Sequence, residues 1–248
     1  MKPAKPYAFI AAIALIAIVA GLVLVKKPKP QPASATIVQP GATAPAPATP
    51  SSAPMTRYNA SSGSKMRIEG TSTLHDWQAV SPLILGFLEV GPNFPGESGQ
   101  AAAPGKIEIR GEALVNASSL RSVKKDGTWY KDEMDDKMHE LLKQTNFPKI
   151  VFRINELVLK EAPKDKVGPH VFDSKGDLAV AGVTNNVAFP VSVFVLPEKK
   201  LRITGVVPLK MTQFGINPSN ILLKTGDDIT IKFEWMVKQQ GPAAAPAK

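Results

Sequence analysis

The sequence predicts an all-β domain, an antiparallel barrel of about eight strands carrying one short helix. Three observations lead there. Apolar and polar residues alternate with a period of two over several stretches between Arg57 and Gln239. Turn-type clusters such as Gly91-Pro92-Asn93, Lys175-Gly176-Asp177 and Gly226-Asp227-Asp228 separate the stretches. A single segment, Lys131–Lys143, switches to helical spacing.

The strand candidates in chain order are Lys65–Leu74, Trp77–Val90, Lys106–Val115, Lys149–Lys160, Val171–Ala181, Val187–Leu196, Lys200–Lys210 and Asp228–Lys238. In Lys106–Val115, Ile107, Ile109, Gly111 and Ala113 share one face, and charged residues hold the other. Lys200–Lys210 sets Leu201, Ile203, Gly205, Val207 and Leu209 against Lys200, Arg202, Thr204 and Lys210. Asp228–Lys238 does the same with Ile229, Ile231, Phe233, Trp235 and Val237. A polar outer face with an apolar inner one is the reverse of an outer-membrane barrel, so a soluble barrel with an apolar interior is expected. At about eight strands the interior is either filled by side chains or holds one small ligand. Strand parity turns Trp77, Ile109, Phe152, Ile154, Phe189, Val191, Val193, Ile203, Ile231, Phe233 and Trp235 inward. These are the candidate cavity-lining, ligand-binding residues. Periodicity does not distinguish a filled core from a lined cavity.

In the helix, Met134, Met138, Leu141 and Leu142 form one stripe. Asp132, Glu133, Asp135 and Asp136 crowd its first turns and Lys143 ends it, which suits the helix dipole. The stripe is expected to pack on the barrel. The other reading makes it a flexible lid over a mouth, for which methionine is apt. Asp135 and Asp136 are adjacent and point apart, so they are read as a solvated helix start.

Before the barrel, Tyr7–Val25 is a run of 19 residues without a charge. At about 1.5 Å per residue it nearly spans a hydrocarbon core of about 30 Å. Residues 1–27 are therefore expected to form an N-terminal transmembrane or signal helix, with the uncleaved anchor favoured because the run ends in Lys26-Lys27. Residues 28–56 are a Pro/Ala-rich linker, 57–240 the barrel and 241–248 a second Pro/Ala tail. The expected location is the periplasmic or extracellular face of a bacterial membrane. The basic excess is largely N-terminal: setting aside Lys2, Lys5, Lys26, Lys27, Lys29 and Lys248 leaves 24 of the 30 basic residues against 21 acidic ones. That near balance gives no reason to expect nucleic acid as a partner.

Motifs for chemistry are sparse. The chain has no cysteine, which removes thiol nucleophiles, thiolate metal sites and disulfides. His75, His139 and His170 show no metal-ligand spacing, so no metal and no cofactor is expected. His75-Asp76 is similar to the dipeptide of metal phosphohydrolases, but is read as a turn in which Asp76 bonds local amides. His139 is placed facing solvent and His170 in a loop after Gly168-Pro169. No Gly-x-Ser-x-Gly elbow or phosphate loop is present.

The order of motifs resembles the YceI-like family, from about Lys65 to Lys238. The resemblance is carried by Ile68-Glu69-Gly70-Thr71-Ser72-Thr73-Leu74-His75-Asp76-Trp77, then Ser119-Leu120, then Met138–Lys143 followed by Phe147-Pro148-Lys149-Ile150-Val151-Phe152. It continues through Gly176–Thr184 and Met211-Thr212-Gln213-Phe214-Gly215-Ile216-Asn217-Pro218, and ends at Gly226-Asp227-Asp228-Ile229. The opening Gly-Thr-Ser-Thr-Leu-His-Asp-Trp departs from the usual one, in which a His-Ser pair begins the first strand. The N-terminal anchor and linker are a second departure. The resemblance implies a lipocalin-like antiparallel barrel, exported, with a long apolar cavity for polyisoprenoid or other amphiphilic chains and no established catalytic centre. The expected function is thus a non-enzymatic, membrane-tethered protein that carries or sequesters an isoprenoid or other lipid-like ligand. The alternatives are a filled barrel serving as a cell-envelope structural or protein-interaction module, and a hydrolase using His75.

Overall fold

The computed structural model describes residues 54–96, 102–165, 168–220 and 225–240. The expected N-terminal helix, nearly all of the linker and the tail 241–248 lie outside these residues. Among the described residues no helix is long and apolar enough to cross a membrane.

The first half of the barrel is made of short strands: β1 (Thr56–Ala60), β2 (Lys65–Ser72), β3 (Trp77–Ser81), β4 (Leu85–Val90), β5 (Gly105–Ile107), β6 (Ile109–Asn116) and β7 (Arg121–Val123). After helix α1 (Asp132–Leu141) come five long ones: β8 (Lys149–Glu161), β9 (His170–Val180), β10 (Val183–Leu196), β11 (Lys200–Lys210) and β12 (Thr225–Gln239). Every pairing is antiparallel. Around the ring the order is β1, β4, β6, β8, β9, β10, β11, β12, and β12 returns to β1 through Tyr58↔Gln239 and Ala60↔Val237. The protein is a closed antiparallel barrel of eight strands, as the alternation predicts.

The predicted strand Trp77–Val90 is two strands. Pro82 has no amide to donate to a ladder. The chain bends there, and Ser81 Oγ accepts the Leu83 N–H at 3.3 Å. A second break, Ala117–Ser119, separates β6 from β7, and Ser81 Oγ lies 2.8 Å from Ser119 Oγ. Between β1 and β2 the chain bends again at Gly63, with φ of 96°, while Ser64 Oγ accepts the Met236 amide. Three neighbouring strands thus bend together. β12 is long enough to serve both halves, pairing with β1 near its C-terminus and with β2 along Ile229–Glu234.

Beyond the bends the sheet runs β12–β2–β3–β7 and no longer closes. The β6–β8 ladder ends at Asn116↔Lys149, and α1 lies over the opening that β7 leaves. At the opposite end the interior is solid. Tyr58, Phe94, Leu159, Phe172, Leu201 and Val237 are all buried there. The Phe94 and Phe172 rings stack 5.8 Å apart at 12°, and Tyr58 stands 6.4 Å from Phe94. Burying one such side chain stabilises by about 1.5–3 kcal/mol, so this end carries much of the fold's stability.

Candidate ligand cavity

Inward-facing apolar residues from every long strand surround the lumen, and they do not fill it. A mouth chamber of about 650 Å³ lies beneath α1. A smaller inner chamber of about 140 Å³ follows towards the packed end. Met66, Ile150 and Ile231 line both, forming a shared collar. The larger volume falls within the usual range of small-molecule sites, about 300–1,000 Å³. Exposed His75, Glu133, Asp136 and Glu140 are among its walls, so the mouth chamber reaches solvent.

Of the eleven residues singled out by parity, Ile109, Phe152, Ile154, Phe189, Val191, Val193, Ile203, Ile231, Phe233 and Trp235 line the inner chamber. Trp77 lines the mouth chamber, its indole N–H donating to the Thr71 carbonyl at 3.2 Å. Parity is kept in β8 only as far as Ile154. A bulge between Ile154 and Glu156 shifts the register, so Leu157 and Leu159, rather than Glu156 and Val158, become the inner residues that follow.

Many mouth residues escaped the sequence reading. Met66 and Ile68 obey the same parity as Ile231 and could have been found by it. Met211, Phe214 and Ile216 come from a short turn-rich segment with no period to read. From α1 and its end, Met134, Met138, Leu141 and Leu142 face the chamber. The Met/Leu stripe thus roofs a space; it does not simply pack against a solid wall.

Polar groups latch this roof. Asp135, read from the sequence as part of a solvated helix start, is buried. Its carboxylate accepts the Ser122 amide and the Arg121 Nη1 at 3.0 Å. Burial pushes the Asp135 carboxyl up, but the bonds from Ser122 and Arg121 outweigh it and hold it below the usual aspartate range. His139 is also corrected: it is half-buried rather than facing solvent, and its Nε2 donates to the Leu120 carbonyl at 3.0 Å. The helix is therefore tied to the β6–β7 segment from Asp135 and His139, one turn apart. At its start the Ser122 hydroxyl also donates to the Lys131 carbonyl at 3.4 Å, and Arg121 makes a contact of 3.8 Å with Asp132.

The other histidines differ from expectation as well. At the His75 turn the bonds come from Ser72, whose Oγ donates to the His75 carbonyl at 2.6 Å and accepts its amide. The His75 Nδ1 donates to the Asp76 carbonyl at 2.9 Å, so the ring is committed to its own turn. His170 is not in a loop: it is the first residue of β9 and fully buried, near Phe172. Among the described residues no group of three or more His, Cys, Asp or Glu could hold a metal ion.

A closed barrel, one latched helix and an apolar lumen open at one end coincide with the result of a family comparison. The YceI-like domain model matches residues 65–237. The chain belongs to the YceI-like family. Among solved structures, Burkholderia cenocepacia BcnA is similar at 15% identity and a TM-score of 0.50, over 70% of this chain and 95% of that one. A polyisoprenoid binding domain from Saccharophagus degradans, implicated in plant cell wall breakdown, is similar at 9% identity and a TM-score of 0.52. That match covers 75% of this chain and 99% of the other. At such identities the likeness is one of fold. No curated protein matches the chain.

Proposed function

We infer that this YceI-like chain carries or sequesters a hydrophobic chain molecule, an isoprenoid or an acyl lipid, in the barrel lumen. The observation that carries this reading is the mouth chamber of about 650 Å³, roofed by a Met/Leu helix and walled mainly by apolar side chains. Burying an alkyl chain yields about 0.8 kcal/mol per CH₂, so such a space binds a lipid without a polar recognition group. The description of the Saccharophagus relative as polyisoprenoid binding supports the same class of ligand. The protein acts as a binding module rather than an enzyme, and sits on the extracytoplasmic side of a bacterial membrane, held there by the apolar Tyr7–Val25 segment and spaced from it by the Pro/Ala-rich stretch that follows.

Native mass spectrometry of the full chain, with lipid analysis of a solvent extract, tests the reading. A bound mass that survives gentle ionisation and leaves in solvent supports lipid carriage. A chain that is ligand-free, and stays so after incubation with polyprenyl and fatty-acyl lipids, favours the envelope structural or interaction module. The same spectrum decides the anchor: a polypeptide mass that includes residues 1–27 means a retained helix, and a shorter one a cleaved signal.

A further inference from the structure

Three phenylalanine rings cross the lumen at one level. Phe152 on β8 and Phe189 on β10 have ring centroids 5.2 Å apart, and Phe189 and Phe233 on β12 stand 6.1 Å apart, nearly edge to face. All three line the inner chamber and none lines the mouth chamber. Along β12, Ile229 faces only the mouth, Ile231 faces both chambers, and Phe233 only the inner one. Along β8, Ile150 faces both and Phe152 is the next inward residue. The rings therefore stand one layer below the shared collar, where a lumen of about 650 Å³ gives way to one of about 140 Å³.

The wall is shaped to seat them. A Cβ on Gly176 would collide with the Arg153 carbonyl oxygen and lie 2.7 Å from the Phe152 ring, and a Cβ on Gly205 would lie 2.7 Å from the Phe233 ring. Glycine at both places lets the ring lie against backbone, so two of the rings are fixed in slots. Phe189 has no such slot and bridges the other two.

We propose that Phe152, Phe189 and Phe233 form a chain-length stop, on which the tail of a linear isoprenoid or acyl ligand ends after filling the mouth chamber. The proposal rests on the lipid-binding reading above and adds a specificity to it. Each further methylene strengthens binding while it is buried in the chamber. The carbon that reaches the ring layer must displace a packed ring, or leave the other end of the ligand in water, and it adds nothing. Affinity is thus expected to rise with chain length to a cut-off.

The test offers an equimolar ladder of linear prenols, from farnesol to decaprenol, to the full chain held in a rigid steroidal detergent too broad to thread the lumen. Bound prenols are extracted and quantified. The wild type is expected to show a cut-off. Phe189→Ala should move it to longer prenols by about one isoprene unit, because the lost phenyl ring and a five-carbon unit are of similar size and the vacated space is only partly relaxed. Phe189→Leu should give a smaller shift in the same direction, and carries the test if the alanine variant does not fold. Ile231→Phe, which narrows the collar above the layer, should move the cut-off to shorter prenols. Unchanged cut-offs in the Phe189 variants, with binding retained, overturn the stop and leave the lipid reading standing. A wild type that takes up no prenol overturns the lipid reading, and the stop with it.

Discussion

The two ends of the barrel are built from the same alternating strands and reach opposite results. At the packed end, Tyr58, Phe94 and Phe172 converge with Leu159, Leu201 and Val237, and closure of β12 onto β1 leaves no gap in the hydrogen-bonded wall. At the mouth end, β7 has no strand beyond it, and a ten-residue helix takes the place of a ladder. A ladder bonds every second residue directly to its neighbour. The helix is tied to the wall through side chains, at Asp135 and His139. Stability is therefore concentrated where the wall is continuous, and empty volume where it is not. The carrier role proposed above calls for both: a rigid cup, and a roof that can open without unfolding it.

Substitutions can separate the two ends. The largest effect is expected from Phe172→Ala, which removes a fully buried ring from the packed end. It should lower the unfolding free energy by about 3–5 kcal/mol in denaturant titrations, with little change in the lipid retained by molecules still folded. Equal loss of stability and of ligand would show that the ends are not independent. Asp135→Ala should cost about 1.5–3 kcal/mol, because it strands the amide of half-buried Ser122 and releases Arg121. Hydrogen exchange should show that loss in α1 first, before the long strands β8–β12.

Acid should act at the same point, more weakly. The Asp135 carboxyl lies below its unfolded-state value, so its stabilisation is complete above the ordinary aspartate range, near pH 4, and is lost as pH falls through the lower folded value. The wild type should lose its thermal advantage over Asp135→Asn in that window, and a constant difference would mean the latch is not electrostatic. The smallest effect belongs to the exposed i,i+3 pair Lys137–Glu140 at 2.8 Å. Lys137→Ala should change stability by about 0.5 kcal/mol or less and diminish further in high salt.

Much of this fold could be read from residue order. The long strands and the helix stand close to their expected places because they carry many cycles of a clear period, as in Lys200–Lys210 and Lys131–Lys143. What escaped detection was short or bent. β1 spans five residues with one buried side chain, Tyr58, and it starts at Thr56, the last residue of the stretch read as linker. β7 has three residues, too few to show alternation. The break inside Trp77–Val90 was signalled by Pro82 but outweighed by the apolar residues on either side. Inward residues of the long strands were accessible through parity. Those of the mouth were not, since Met211, Phe214 and Ile216 are brought to it by a turn-rich connection.

By itself, the amino-acid sequence determined the all-β class, the apolar inner face and the membership that its motifs share with the YceI-like family. Alternation and turn chemistry are local properties, and each strand declares them without reference to its neighbours. Only the tertiary structure decided that the inner face is solid at one end and hollow at the other. Whether a wall encloses space depends on which strands close, where they bend together and how large the facing side chains are. Asp135 illustrates the same limit: a charged residue on a helix becomes a buried latch only when β7 arrives with a guanidinium and an unbonded amide to meet it.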